Sequence, residues 1–594
     1  MSEKTEDGRT DDGRRTDDGG RRTEDGNHNP AASVRRPSSV VRPSVVLKEW
    51  AVSSSHAVAT EAGAAVLRAG GNAVDAAAAV HCTLGVVEPL ASGLGGGAFW
   101  MVYSAADGRI HALDAREVAP AASTSDMFLG PDGQPQDENE RAVSGRAVAV
   151  PGALLGLDEV LRRFGTLSLA EVLQPAIRAA RDGVPVSAFM AGRIGLGSAN
   201  NRARLQQSPT AAALFLPGGS PLREGDLLIQ PDLGQTLQAL ATRGPVELYH
   251  GSLGKAIVDE IRVRGGRMTL DDLSAYGVVW RAPLIRPYGG HNIATFGPPG
   301  SGVTLLAMLG MLEILRSTQP VRDSGELTHI MLEIMRCGFA DRSGTLGDPA
   351  HVHVPVTALL DPGYLQQRAA SIAVTSARER WLAGDPWPFE PSPRTQAESP
   401  IGSISTGGPG QTTHFTTADR WGNVVAVTAT IESLFGSGIM APGTGLLLNN
   451  QMSDFNAHAS GPNQVRPGAR PLSSMAPTLV LRNDRPVLTL GSPGGATIVP
   501  TILQILCRVL DNGEALQDAI AAPRLYAGPG RRVTWEDGID AHVLSALQER
   551  GHIIAPEARS IGNVQSIMID WTSGNLTAVA DPRRQGSTAV EGEA

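Results

Sequence analysis

The sequence predicts a layered α/β fold, with sheets that carry helices on their outer faces. Three observations predict it. An Ala-rich stretch near the start is helical in character. Short alternating runs separated by turn residues fill the last third of the chain. An apolar helical run follows them, with Ile498, Ile502, Ile505 and Leu506 on one face. Pattern alone leaves the strand order open.

Taken in order, the folded part begins near Val45. Residues 59–83, ATEAGAAVLRAGGNAVDAAAAVHCT, form two helical stretches broken at Gly70-Gly71. ASGLGGGAFWMVY (91–103) is a Gly-rich turn feeding a strand. Its Gly93 to Gly97 portion is like part of a dinucleotide fingerprint, but Ala98 takes the final glycine's place and a helix precedes it. It reads as a core turn. HALDAREVAP (111–120) is a strand and its exit, residues 152–240 are mostly helical, and GPPGSGVTLLAMLGMLEIL (297–315) is a loop opening a helix. Residues 383–411, rich in Pro, Ser, Gly and Thr, read as an exposed linker ending at Gln411. The character changes at Thr412. THFTTAD and VVAVTATI (424–431) are strands joined by the turn Asp419 to Asn423. Thr478–Leu481 and Val487–Leu490 flank a second hairpin signal, Asn483 to Pro486, and a helix is expected over 497–510.

Composition narrows the function. The 594 residues allow one large or several ordinary domains, and a formal charge of −9 argues against a nucleic-acid binder. Cys82, Cys337 and Cys507 are far apart, which gives no disulfide framework and no zinc pattern; each reads as a small buried apolar residue. The apolar run near Val303 is broken at Glu313, too soon for a membrane span. Residues 3–26 are a degenerate repeat of Thr, acid, Gly and Arg, so 1–47 is expected to be a disordered charged tail. Arg21-Arg22 is followed by no apolar region, which supports no signal peptide and a cytoplasmic chain. His351 and His353 have no ligands in register, Gly491 to Gly494 is not a serine-hydrolase elbow, and no cofactor motif is present. No cofactor, metal, nucleic-acid or membrane partner is expected.

Thr412 invites a chemical reading. A threonine hydroxyl holds its proton tightly and needs an adjacent base to attack a carbonyl. A free α-amine on the same residue can serve, because its reference pKa of about 7.7–8 lies near working pH. That amine exists only after the Gln411–Thr412 bond is cut. The logic requires a hydroxyl residue opening a strand, a flexible linker before it and a self-cleavage step, and the sequence offers the first two here. Taken alone, Thr412 and Thr413 read first as β-formers in an ordinary strand.

The surrounding segments change that balance. GQTTHFTTADRWGNVVAVTATIESLFGSGIMAPGTGLLLNNQMSDF (410–455), RPLSSMAPTLVL (470–481) and GSPGGATI (491–498) closely resemble the γ-glutamyltranspeptidase family. So do LDAREVAP, VPGALLGL and ADRSGTLGDP (340–349), and the resemblance runs over about 48–585. It implies the four-layer αββα sandwich of N-terminal-nucleophile hydrolases. It also implies self-processing into a large fragment, 48–411 beyond the tail, and a small catalytic fragment, 412–594, which stay together as a heterodimer. Thr412 matches the nucleophile and Thr430 a second threonine that hydrogen-bonds it. Gly494 and Gly495 match the oxyanion donors, where glycine lets the backbone come close. Arg116 matches the arginine for a substrate α-carboxylate, with Ser473 and Ser474 as hydroxyl partners. Asp454 matches the acid for the α-ammonium, aided by Glu432 and Gln451; some relatives have Asn where Glu432 stands.

The implied activity is hydrolysis or transfer of γ-glutamyl groups from substrates such as glutathione to water or amino acids. Two departures qualify it. The segment after Asp454, NAHASGPNQVRPGA, is shorter than the loop that lids the pocket in many members, so a lidless site is expected. The expected lack of an export signal also differs from members acting on extracellular glutathione. The alternative is an acylase or C–C bond hydrolase acting on another amino-acid-like substrate in a specialised-metabolite pathway.

Overall fold

The computed structural model describes residues 47–195, 199–318, 323–392 and 411–591. The predicted N-terminal tail lies outside these residues, apart from position 47, as does the stretch 393–410 of the predicted linker. Residues 383–392 were expected to be exposed linker; most are exposed or half-buried, but hydrogen bonds tie them to the body. The Gly384 N–H donates to Asp341 Oδ1 at 2.7 Å, and Glu390 Oε2 accepts from the Ala358 N–H at 3.1 Å.

Among the described residues, thirteen strands build two large sheets. In chain order they are β1 (Ala51–Ser54), β2 (Gly97–Ser104), β3 (Arg109–Ala115), β4 (Val279–Arg281), β5 (Leu284–Tyr288), β6 (His291–Thr295), β7 (Thr412–Ala418), β8 (Val424–Thr430), β9 (Thr478–Arg482), β10 (Arg485–Leu490), β11 (Gln565–Asp570), β12 (Asn575–Ala580) and β13 (Ser587–Val590). The first sheet runs β13-β1-β7-β8-β2-β3-β4, and the second β12-β11-β10-β9-β6-β5. Within each sheet the recorded pairings are antiparallel.

Strand periodicity separates the two cores. On β2, Ala98, Trp100 and Val102 face one apolar cluster with helices α1 (Ala57–Arg68) and α2 (Ala73–Val87). Phe99, Met101 and Tyr103 face a second cluster with the other sheet and helices α3 (Gly302–Thr318) and α4 (Ser324–Thr345). Both faces of the first sheet are therefore buried, giving the four-layer αββα sandwich. All three cysteines are buried and free.

Local chemistry starts the elements where the sequence suggested. Asn72 and Asp75 form a capping box at α2. Asp419 in the β7–β8 turn accepts from the N–H groups of Trp421 and Asn423 and also from Ala73 at the start of α2. The hairpin is thus tied to the helix packed upon it. The β9–β10 turn places Asn483 and Asp484 at φ of 51° and 60°, the left-handed values that a tight hairpin needs. The predicted C-terminal helix spans Ile498–Leu506 and then widens into a π turn over Cys507–Asp511.

Candidate active site

The β7–β8 hairpin fixes the first part of the site. Its register pairs Thr412 directly with Thr430, because strand residues point alternately and the turn sets which pairs meet. Both are buried, and their hydroxyl oxygens lie 3.5 Å apart. Thr430 Oγ1 also donates to the Gln411 carbonyl and accepts from the Glu432 N–H, each at 2.9 Å. One hydroxyl therefore links the strand-opening threonine to the carbonyl immediately before it.

The Gly-rich turn brings β2 against this hairpin. Thr430 pairs with Gly97, and a Cβ on Gly96 would sit 2.1 Å from the Thr430 carbonyl. A Cβ on Gly95 would meet the Leu447 carbonyl at 2.2 Å. The glycines serve close backbone approach, in keeping with a core turn. Beyond Thr430 the chain turns sharply: Glu432 has φ 79°, a left-handed conformation that costs a non-glycine residue roughly 1–3 kcal/mol. Its carbonyl accepts from the Gln411 N–H at 2.6 Å and its carboxylate from Ser433.

Thr412 and Thr430 line a cavity of about 670 Å³, counted to its open mouth, together with Arg116, Glu432, Gln451, Asp454, Ser473, Ser474 and Gly495. Nine of the expected site residues thus meet in one place, from segments more than 300 positions apart. Gly494 stands beside this lining. Its φ of 124° and the 2.3 Å that would separate a Cβ from Thr497 Oγ1 reserve the position for glycine. Gly495 opens the helical turn that leads into Ile498–Leu506.

Arg116 reaches the cavity from the exit of β3 and is 1% exposed, so it is no solvated surface charge. Its Nε donates to the Pro471 carbonyl at 3.1 Å and its Nη2 to Asp454 Oδ2 at 2.5 Å. Gln451 donates to the same Asp454 oxygen at 2.6 Å. The two charges that the resemblance assigns to opposite ends of an amino-acid head are therefore immediate neighbours. This suits an α-amino acid, whose carboxylate and ammonium share one carbon. Glu117 lies 3.7 Å from Arg116 Nη1 and is fully buried; burial pushes its carboxyl up to about 7 against the pull of Arg116. Burial, reinforced by Asp454, likewise raises Glu432 to about 7.

The sequence reading missed Arg342, which also lines the cavity. Its Nε donates to Ser301 Oγ at 2.8 Å and its Nη2 to Ser474 Oγ at 3.3 Å. Burial lowers it to about 10, opposed by the field of Asp454. The signal was the Asp-Arg pair inside ADRSGTLGDP, charged residues on a helix that is otherwise largely buried. Asn456 and Asn463 were missed too. They belong to the short segment after Asp454, where Asn463 Nδ2 donates to the Asp454 carbonyl at 2.7 Å.

His351 and His353 do not converge. His351 is exposed, while the His353 ring packs edge-on against Trp387 and lies 3.7 Å from Glu390. His329, Glu333 and His552 do cluster, with ligand atoms within 4.8 Å of one another. Most of their ligand atoms are already engaged, while His552 Nδ1 is buried without a hydrogen-bond partner. His329 and His552 share a 2.8 Å nitrogen contact, and Glu333 accepts from Arg336 and Trp381. Burial and the nearby Arg336 and Arg550 depress both histidines, an environment that resists further positive charge. Among the described residues no helix is long and apolar enough to cross a membrane.

Comparison with known proteins identifies the family. The family model described as γ-glutamyltranspeptidase matches residues 59–591. The glutathione hydrolase proenzyme of Bacillus subtilis (strain 168) is 42% identical over 539 residues, covering 90% of this chain and 90% of that protein. The acylase ACY 1 proenzyme of Pseudomonas sp. (strain V22) is 38% identical over 549 residues, covering 91% and 93%. The crystal structure of cephalosporin acylase from Bacillus halodurans superposes with a TM-score of 0.80 at 28% identity, covering 94% of this chain and 99% of that one. The fold, the paired threonines at its centre and these matches over most of the length agree: the chain belongs to the γ-glutamyltranspeptidase family of enzymes.

Proposed function

We propose that this enzyme cuts itself between Gln411 and Thr412 and then uses Thr412 to transfer γ-glutamyl groups from glutathione and related amides to water or amino acids. The observation that carries the reading is the hydroxyl chain from Thr412 through Thr430 to the Gln411 carbonyl. In self-cleavage, Thr412 Oγ1 attacks the Gln411 carbonyl carbon. Thr430 supports the charge that develops on the carbonyl oxygen by donating to it. The carbon–nitrogen bond breaks, and the proton lost from Thr412 ends on the departing nitrogen. Water then cleaves the resulting ester, leaving a carboxylate on Gln411 and a free amine and hydroxyl on Thr412. The products are fragments of 411 and 183 residues. They correspond to a large part ending at Gln411 and a small part beginning at Thr412, held together by the shared sheets.

In turnover, the Thr412 amine takes the hydroxyl proton as Oγ1 attacks the γ-carbonyl, and passes it to the leaving amine. Gly494 and Gly495 are assigned to the oxyanion. Arg116 takes the substrate α-carboxylate with Ser473 and Ser474, and Asp454 takes the α-ammonium with Gln451 and Glu432. The contact between Arg116 and Asp454 supports this assignment, because a zwitterionic head can replace each partner's opposite charge.

A second reading draws on the acylase relatives and on the open cavity beside the short 455–469 segment. On that reading the site takes a larger amino-acid-like acyl group in a biosynthetic pathway. Sequencing the new N-terminus and assaying γ-glutamyl-p-nitroanilide and glutathione decide between the two. Thr412→Ala should remain one full-length chain without activity; normal splitting of that variant sinks the mechanism. No turnover of either compound by fully processed protein favours the second reading.

A further inference from the structure

Gln411 is held at three points. Its N–H donates to the Glu432 carbonyl at 2.6 Å, and its own carbonyl accepts from Thr430 at 2.9 Å. Its side-chain oxygen accepts from Arg584 Nη2, also at 2.6 Å. The first two contacts come from the β8 exit, close beside the nucleophile. The third comes from a residue 173 positions further along the chain. We propose that Arg584 is a positioning residue for self-cleavage: by gripping the Gln411 side chain it fixes the carbonyl that Thr412 attacks.

The geometric argument is simple. Two contacts on the backbone define an axis about which the Gln411 peptide can still rock. A third contact off that axis removes the rotation, and attack on a carbonyl depends on the face presented to the hydroxyl. Arg584 Nη1 is buried without a hydrogen-bond partner, which leaves Gln411 as its hydrogen-bonded anchor, and the turn that carries it is held from several sides. The Arg584 guanidinium lies 4.4 Å over the Phe189 ring. The preceding Asp581 is buried and anchored by Arg524 Nη2 at 2.7 Å and the Val564 N–H at 2.9 Å. Arg583 fastens the same turn to Glu536. The field of Glu88 favours the charge on Arg584, and Glu88 is held by Ser55, whose hydroxyl lies 3.0 Å from that of Thr413. A planar donor on an anchored turn thus reaches the residue before the proposed cut from the fragment on the other side of it.

This inference rests on the self-cleavage reading above, and the test separates the two. The rate of splitting is followed on denaturing gels for full-length Arg584→Ala, Gln411→Ala and the double variant, starting from precursor made in a short cell-free synthesis. Each single variant should split roughly tenfold or more slowly, as loss of a charge-assisted hydrogen bond predicts. The double variant should be no slower than the slower single one, because both remove the same contact. Gln411→Glu should split well in the parent chain and slowly beside Arg584→Ala. A merely structural role would not produce this dependence on the partner. Turnover per processed molecule in Arg584→Ala should match the parent. Splitting of Arg584→Ala at the parental rate, or multiplicative effects of the two single variants, overturns the proposal. Should Arg584→Ala fail to fold, Gln411→Ala at the parental rate overturns it alone. Splitting of Thr412→Ala would instead remove the self-cleavage reading beneath it.

Discussion

Thr430→Val tests the centre of the proposed chemistry, because it keeps the shape of the side chain and deletes its hydroxyl. The structure gives that hydroxyl three partners: Thr412 Oγ1 at 3.5 Å, the Gln411 carbonyl at 2.9 Å and the Glu432 N–H at 2.9 Å. Losing the donor to the carbonyl resembles removing one oxyanion donor, which slows acyl chemistry about 10²- to 10³-fold. Losing the acceptor leaves a buried N–H unpaired at a residue already held at φ 79°, costing roughly 1–3 kcal/mol of stability. The assay follows the full-length band against the two fragments over hours to days, with thermal unfolding measured on the same protein. Thr430→Ser should recover most of the rate. Splitting of Thr430→Val at the parental rate, in a normally folded protein, would refute the hydroxyl chain.

Glu432 yields a pH prediction. Burial first, then the neighbouring Asp454 carboxylate, lifts its carboxyl from the ordinary 4.5 to about 7. The fold holds this proton more tightly than the unfolded chain does. The stability it contributes is therefore complete below about pH 4.5 and lost as pH rises through about 7. Glu432→Gln, read by urea unfolding beside Thr412→Ala, should gain stability over its parent at pH 8 and not at pH 4.5, by at most roughly 3 kcal/mol. A difference that does not vary with pH counts against the argument. Gly494→Ala forces a Cβ to within 2.3 Å of Thr497 Oγ1 at φ 124°, so activity should fall about 10²-fold or more; near-parental kcat contradicts this. Arg342→Gln should raise KM for γ-glutamyl-p-nitroanilide about tenfold by loosening Ser474, with Arg342→Lys intermediate; an unchanged KM removes Arg342 from substrate binding.

Much of this enzyme was legible before its fold. Period-2 runs and turn residues marked the β7–β8 and β9–β10 hairpins, because both signals are local in the chain. The site residues of the family-like segments were legible only as a set, since a threonine in a strand or an arginine after one carries no chemistry by itself. The predicted linker was partly misread, because low periodicity cannot reveal that Asp341 and Ala358, both earlier in the chain, hold residues 383–392 in place. Arg342 and Arg584 stayed hidden for the same reason. Their meaning lies in what they touch, and Ser474 and Gln411 stand 132 and 173 positions away. The sequence by itself determined the elements, the β7–β8 hairpin and the family. The tertiary structure decided that Arg116 and Asp454 sit side by side, that burial brings Glu432 near neutrality, and that Gln411 is gripped by Arg584 from the far end of the chain. Contact distance and burial depend on how the layers pack, and no local pattern encodes them.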